Sequence, residues 1–293
     1  QETVVNLQTP GVFAFLDGLN GAQTGQLARK VEQLGYSALW FPEVLGREPF
    51  SFASYLLSQT ERLVIATGIV VPYAYEPIVI ANATRTLAEL FGDRFLLGLG
   101  VSNAQANARR GIPYGKPLSF TREYLAKMKA APYTAPAPQN DPPVVLAGMM
   151  PKMLQLAATQ TQGTHTYFTV VEQIAATRKA LGPEPWLCAE IGVMLESDAD
   201  KARSAARSYM QIYLQVDHYV QRLKEVGFTD ADFANGGSDR LVDAVVAWGD
   251  AAKIRESITA YYKAGASHVC LMPLRSEGGM NPNEQAIEVL APN

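Results

Sequence analysis

Four short windows of this 293-residue chain place chemically useful residues where an apolar run ends. In Leu39-Trp-Phe-Pro-Glu43 a carboxylate follows directly on such a run. Enclosed in a pocket, an acid of this kind has a raised pKa and can pass a proton; on an open loop it is a solvated charge. In Val144-Val-Leu-Ala-Gly-Met-Met-Pro-Lys-Met153, Gly148 turns the chain and Pro151 opens a helix. The amides of Met149, Met150 and Lys152 then point at one spot, and with the helix dipole they suit a phosphate. An ordinary strand-to-helix turn is the alternative. Thr67-Gly-Ile-Val-Val-Pro-Tyr-Ala-Tyr-Glu-Pro77 is either a rigid loop or, through Tyr73 and Tyr75, a wall for a planar ligand, since aromatic faces stack on rings. The fourth window, Arg94-Phe-Leu-Leu-Gly-Leu-Gly-Val-Ser-Asn103, carries Gly98-x-Gly100 at its end. A dinucleotide fingerprint needs a small residue where Asn103 stands and an acid about twenty residues on, where Lys116 and Pro117 lie instead. The glycines more simply let a flat ligand approach the backbone.

The elements that must position these windows alternate. Strands are expected over residues 11–16, 37–41, 63–71, 94–100, 143–147, 164–168, 186–195 and 268–273. Helices are expected over 24–34, 49–58, 77–90, 121–131 and 151–162, after a Thr169/Glu172 capping box, after Asp198, and from Asp250 to Gly265 as the last. The third strand reads as continuous and buried on both faces. A loop spans 102–118, and 216–246 is a mostly helical elaboration longer than a barrel unit needs. Eight nearly all-apolar strands alternating with helices predict one (β/α)8 TIM barrel over residues 1–293. In that fold chemistry belongs at the strand C-termini.

Bulk properties narrow the function. Hydrophobic residues make up 48% and charged residues 18%, with a net charge of −3. No basic run suggests nucleic acid, and no apolar run approaches the roughly 20 residues that span a bilayer. Residues 1–10 show no leader pattern, so a cytoplasmic location is expected. Cys188 and Cys270 read as buried free thiols. His165, His218 and His268 do not cluster at ligand spacing, so no metal is expected. A Schiff-base aldolase would want a lysine at a strand end inside the mouth, and none is there.

In order and spacing, "LWFPE", "TGIVVP", "DRFLLGLGVS" and "VVLAGMMPKMLQLAA" together resemble the bacterial luciferase-like family of flavin and deazaflavin barrels, closest to the branch that uses coenzyme F420. The resemblance covers nearly the whole chain. It implies a tricyclic ring over the barrel mouth near Phe13, Glu43, Gly68, Ile69 and Ser102. It also implies a non-proline cis peptide at Gly68–Ile69, and a cofactor phosphate held by Ala147, Gly148, Met149, Met150 and Pro151 near Val101. The family's better-known dehydrogenases carry an Asp-His after strand 2 and a Glu after strand 4. Here Pro42-Glu43 and Asn103 stand in those places, and an amide does not exchange protons usefully. Glu43 is left as the single candidate acid, with Tyr73 or His165 as possible helpers and Tyr73, His165 and Tyr167 as substrate-pocket candidates. Arg109, Arg110 and Lys116 form either a solvated lid face or an attractor for an anionic cofactor tail. The leading expectation is hydride transfer between bound coenzyme F420 and a small organic substrate. Two others stay open: an FMN-dependent two-component monooxygenase fed by a separate flavin reductase, and a non-catalytic flavin-binding protein. The apolar helix 78–90 hints at a homodimer.

Overall fold

The computed structural model describes residues 5–292. Part of the 1–10 segment read for a leader therefore lies outside the described residues. Nine strands form, all paired in parallel: β1 (Gly11–Phe13), β2 (Ala38–Phe41), β3 (Val64–Thr67), β4 (Phe95–Leu99), β5 (Val144–Ala147), β6 (Gly163–Thr166), β7 (Trp186–Leu195), β8 (Val246–Gly249) and β9 (His268–Leu274). The order runs β6-β5-β4-β3-β2-β1-β9-β7, and β6 also pairs with β7, so eight strands close into a ring. This is the (β/α)8 barrel that the alternating pattern predicts.

Side-chain parity divides the core in two. Leu39, Ile65, Leu97, Leu146 and Val269 point outward and pack under the helices. Phe13, Ala38, Trp40, Ala66, Leu96, Val145, Cys188, Cys270 and Met272 fill the inside of the ring. Both faces of each strand are thus buried, which is why most strands read as apolar runs; β6, Gly-Thr-His-Thr, is buried all the same. Cys188 and Cys270 are free, and burial pushes the Cys188 thiol up to about 12.

Several expectations need correction or addition. The 216–246 segment is mostly helical, as expected, but it runs into a strand that the sequence reading did not expect. After helices Asp217–Lys224, Asp230–Phe233 and Asp239–Val245 the chain becomes β8, a ninth strand. β7 is ten residues long and outruns β6, so its upper edge is free from Gly192 onward, and Val246–Gly249 pairs there. The loop 102–118 contains a short helix, Ala104–Arg109, because the Asn103 side chain accepts the Ala106 N–H at 2.8 Å. The following helix starts at Pro117 rather than 121. The helix after β6 opens past Val170, whose N–H donates to the Gln173 side chain at 3.1 Å; Thr169 and Glu172 do not make the box. The helix Ala251–Lys263 is not the last, since Glu284–Val289 follows β9.

The third strand is the most informative departure. It stops at Thr67, and the Gly68–Ile69 peptide is cis, at the position the family resemblance implied. The Thr67 hydroxyl then serves as ladder partner: it accepts the Gly98 N–H at 2.9 Å and donates to the Gly98 carbonyl at 3.0 Å. Pairing with β4 resumes at Val70, opposite Leu99. Gly98 has to be glycine, because a Cβ there would lie 1.9 Å from the Thr67 carbonyl oxygen. Among the described residues no helix is long and apolar enough to cross a membrane.

Candidate active site

The windows singled out by sequence end at one rim, the C-terminal ends of β1 to β6, and the structure sorts them into three groups. The first lies around β4 and β5. Gly100 touches its neighbours so closely that a Cβ would stand 2.8 Å from the Ala147 Cβ and 3.1 Å from Ile69. Val101 is buried, and Ser102 adopts the left-handed conformation at φ 58°. The Val101 carbonyl accepts from the Asn107 amide at 2.8 Å. Across the strand pair, Gly148 turns at φ 157° and the helix Pro151–Gln160 begins with no side-chain cap. Pro151 has no N–H, and Met149 and Met150 flank the opening, Met150 with 59% of its surface exposed. Val101, Ser102, Ala147, Gly148, Met149, Met150 and Pro151 are therefore one neighbourhood. An uncapped helix start beside half-exposed backbone favours an anion. These residues fit a phosphate, and the glycine-floored surface at Gly100 and Ile69 fits the edge of a flat ring.

The second group surrounds Glu43. Its Oε2 accepts the Val71 N–H at 2.8 Å and its Oε1 accepts the Tyr75 hydroxyl at 3.0 Å. Its own N–H donates to the Ile69 carbonyl at 3.2 Å. Arg110 donates to the carbonyls of Glu43 and Val44, at 3.0 and 2.9 Å. Burial pushes the Glu43 carboxyl up, against the two hydrogen bonds and the nearby Arg110 charge that pull it down. Both carboxylate oxygens are engaged, so Glu43 ties the loop after β2 to the loop after β3. Arg110 is occupied in the same task and is not a free lid cation. Tyr73 belongs to a separate aromatic stack, 4.1 Å from the Phe120 ring centroid and 5.9 Å from that of Tyr114. Its hydroxyl is buried without a hydrogen-bond partner, and burial raises its pKa.

The third group lies inside the ring. Phe13 stacks on His165 at 5.9 Å and 9°, and Trp40 stacks on the same imidazole at 4.8 Å and 12°. Gly68 leaves room for this: a Cβ would meet Phe13 at 2.6 Å and the His165 Nε2 at 3.2 Å. His165 is buried with both ring nitrogens unpaired, and desolvation lowers its pKa to about 4, so it is neutral near pH 7. It stands beneath the mouth, as a wall behind Gly68. Tyr167 sits 5.4 Å from Phe13, and its hydroxyl lies 2.6 Å from that of Tyr213. Here the structure supplies residues that sequence reasoning passed over: Trp40, Glu190, Tyr209 and Tyr213. Glu190 did leave a signal, as the only charge inside the apolar run of β7.

A small cavity of about 10 Å³, room for a single water, lies against Phe13, Tyr209, Met272 and Leu274 under Met280 and Asn281. A larger recess of about 470 Å³ lies at the opposite end of the ring, where β7 and β9 begin, against Leu7, Trp186 and His268. The strand C-termini do not border it.

With this geometry in view, comparison with known proteins is direct. Residues 10–268 match the family model described as luciferase-like monooxygenase. The 5,10-methylenetetrahydromethanopterin reductase of Methanolobus tindarius is 27% identical over 209 residues, covering 61% of this chain and 64% of that protein. The enzyme of the same name from Archaeoglobus fulgidus is 25% identical over 283 residues, covering 81% and 85%. An F420-dependent secondary alcohol dehydrogenase holding an F420–acetone adduct superposes with a TM-score of 0.78 at 17% identity, over 98% of each chain. The FMN-bound oxygenating constituent of 3,6-diketocamphane monooxygenase from Pseudomonas putida does so with 0.73 at 14% identity, over 97% of this chain and 96% of that one. At such identities the superpositions speak for the fold alone.

Proposed function

Because this chain belongs to the luciferase-like monooxygenase family, we propose that it is an oxidoreductase that binds coenzyme F420 at the barrel mouth and reduces or oxidises a small organic substrate there. The observation that carries this reading is the first group: an uncapped helix start at Pro151 and a left-handed Ser102 stand beside the glycine-floored contact of Gly100, Ile69 and Ala147. Its support among relatives is the two 5,10-methylenetetrahydromethanopterin reductases, and the F420-dependent neighbour shares the fold.

Gly148, Met149, Met150 and the Pro151 helix start would hold the phosphate through backbone amides, with Val101 and Ser102 alongside. Ile69 and Phe13 would lie under the ring, and Gly68 keeps that surface flat. When bound, the deazaflavin supplies the hydride chemistry; the protein supplies orientation and keeps water out. Glu43 fixes the loop that borders the ring, and its engaged oxygens make it a positioning residue. The exposed apolar rim of Leu45, Tyr114, Met150 and Met280 favours an apolar substrate face.

Titrating the protein with coenzyme F420 and with FMN, each followed by tryptophan fluorescence, tests the reading. Trp40 lies inside the ring and reports on the mouth. Quenching by coenzyme F420 at lower concentration than by FMN is the expected result. A Met150→Asp change, which sets a negative charge at the helix start, is expected to weaken that binding at least about tenfold. Quenching by FMN alone would instead favour a monooxygenase that receives reduced FMN from a partner reductase, a reading that the family model's description as luciferase-like monooxygenase keeps open.

A further inference from the structure

A strap of chain covers the mouth on the side away from the proposed phosphate site. In the closed ring β1 and β9 stand across from β5 and β4, the strands that lead to Gly148 and Gly100. Residues 275–282 leave the end of β9 and arch back, and the Asn283 N–H donates to the Pro273 carbonyl at 2.9 Å, so the two ends meet. Compact loops with joined ends are frequently functional. The far end is fixed, because the Asn283 side chain accepts the Ala286 N–H at 3.1 Å and caps the helix Glu284–Val289, whose Ala286 and Ile287 are buried.

Between those ends little holds the strap. The Gly278 N–H donates to the Arg275 carbonyl at 3.1 Å and the Arg275 guanidinium to Glu277 at 2.8 Å, both within the strap. Among the described residues no hydrogen bond joins 276–282 to the rest of the chain. Gly278 and Gly279 take φ of 86° and 92°, and a Cβ on either would meet nothing within 4 Å. Met280 is half exposed. A segment so lightly bonded opens at low cost. It rests on the loop after β1, where a Cβ at Gly18 would stand 2.2 Å from the Asn281 Oδ1 and 3.2 Å from its Cγ. That ledge is firm, since Arg47 donates to the carbonyls of Leu16 and Leu19.

The strap encloses the cavity of about 10 Å³. Phe13 and Phe15 form its β1 wall, Met272 and Leu274 its β9 wall, Tyr209 of the helix Ala199–Leu214 a third, and Met280 its cover. No charged side chain lines it. The Tyr209 hydroxyl donates to that of Tyr167 at 3.5 Å, and the Asn281 amide lies against Gly18. A space of that size holds one water, whereas a site for an organic molecule takes roughly 300 Å³ or more. Some wall has to move before such a molecule enters, and the strap is the wall that no hydrogen bond ties to its neighbours.

We propose that the space under residues 276–282 is the substrate subsite of the mouth, for a small, uncharged, apolar molecule; that the strap lifts to admit it; and that Met280 sets the size accepted. The assignment deepens the function proposed above and rests on it for calling the occupant a substrate. Phe13, which would lie under the cofactor ring, is one wall, so a molecule held there borders that ring.

Gly18→Cys combined with Asn281→Cys tests the strap, because the 3.2 Å approach suits a disulfide. Cys188 and Cys270 are buried and free and leave the new pair alone. Acetophenone, an uncharged apolar ketone, is the probe, followed by saturation-transfer NMR with the protein alone. Wild type and the reduced double variant are expected to bind it. Oxidation of the double variant should cost at least about tenfold in affinity, and reduction should restore it. Met280→Trp, at a half-exposed position where bulk does not threaten the fold, should cost at least about fivefold with the strap free. Equal binding before and after oxidation, indifference to Met280→Trp, or no saturable binding to wild type overturns the proposal. So does a cysteine pair that does not oxidise, since the strap would then lie off Gly18. Coenzyme F420 titrated into the same proteins should bind within about threefold whether the strap is locked or free; loss of that binding on locking would put the strap over the cofactor and overturn the substrate assignment. If coenzyme F420 binds none of the proteins, the function proposed above fails, and the acetophenone series by itself upholds or overturns the gated subsite.

Discussion

Replacing Glu190 by glutamine should change how stability depends on pH in a direction opposite to that of most carboxylates. An acid paired with cations in the native state has a depressed pKa and stabilises as pH rises. Glu190 is the reverse: its native pKa is raised from 4.5 to about 8 by burial. Between those values the native protein holds a proton that the unfolded chain has lost, so stability falls as pH rises through this window. At about 1.4 kcal/mol per pKa unit the whole loss is capped at roughly 5 kcal/mol, and water penetration would reduce it. His165 and His268, both lowered from 6.5 to about 4, obscure the acidic half of the window with the opposite slope. The cleaner interval is from pH 6.5 to about 8, where Glu190 should account for roughly 2 kcal/mol. Glutamine keeps an oxygen for the Phe168 N–H and cannot ionise. Urea unfolding at several pH values, wild type against Glu190→Gln, reads the difference directly. The variant should gain on wild type steadily over that interval. A difference that stays level with pH would show that the carboxyl is already ionised or is solvated, and the buried-acid argument would fall.

Three other outcomes follow from the same geometry. His165→Phe keeps the stack between Phe13 and Trp40 and removes two unpaired nitrogens. The native pKa of about 4 lies below the unfolded 6.5, so wild type loses stability as pH falls between them; acid unfolding curves should show the variant spared up to roughly 3 kcal/mol of that loss. Gly98→Ala drives a Cβ to 1.9 Å from the Thr67 carbonyl oxygen, and denaturant unfolding should report a loss of roughly 3 kcal/mol or more. Tyr75→Phe deletes the hydroxyl bonded to Glu43 at 3.0 Å; it should cost about 1–2 kcal/mol in unfolding and move the Glu43 carboxyl further up in an NMR titration.

Two halves of the mouth differ in how far the sequence discloses them, and the reason is physical. The β3-to-β5 side is made by backbone. A flat ligand floor and an uncapped helix start demand residues without side chains or without an N–H, and Gly68, Gly98, Gly100, Gly148 and Pro151 announce themselves by type. Most barrel strands disclose themselves likewise, since burial on both faces leaves apolar runs, with the polar β6 as the exception. The β6-to-β9 side is made by side chains arriving from far along the chain. Tyr209 and Tyr213 share a face of their helix, but nothing local says that this face descends over Gly192. β8 exists because β7 has a free upper edge, a fact about two strands 50 residues apart that the run Val246–Gly249 does not carry. Glu43 shows the converse: an acid after a strand has the same local signature whether its oxygens are free or, as here, both hydrogen-bonded, to Val71 and Tyr75. Glu190, one charge within ten residues of strand, was the local anomaly that the packing makes meaningful.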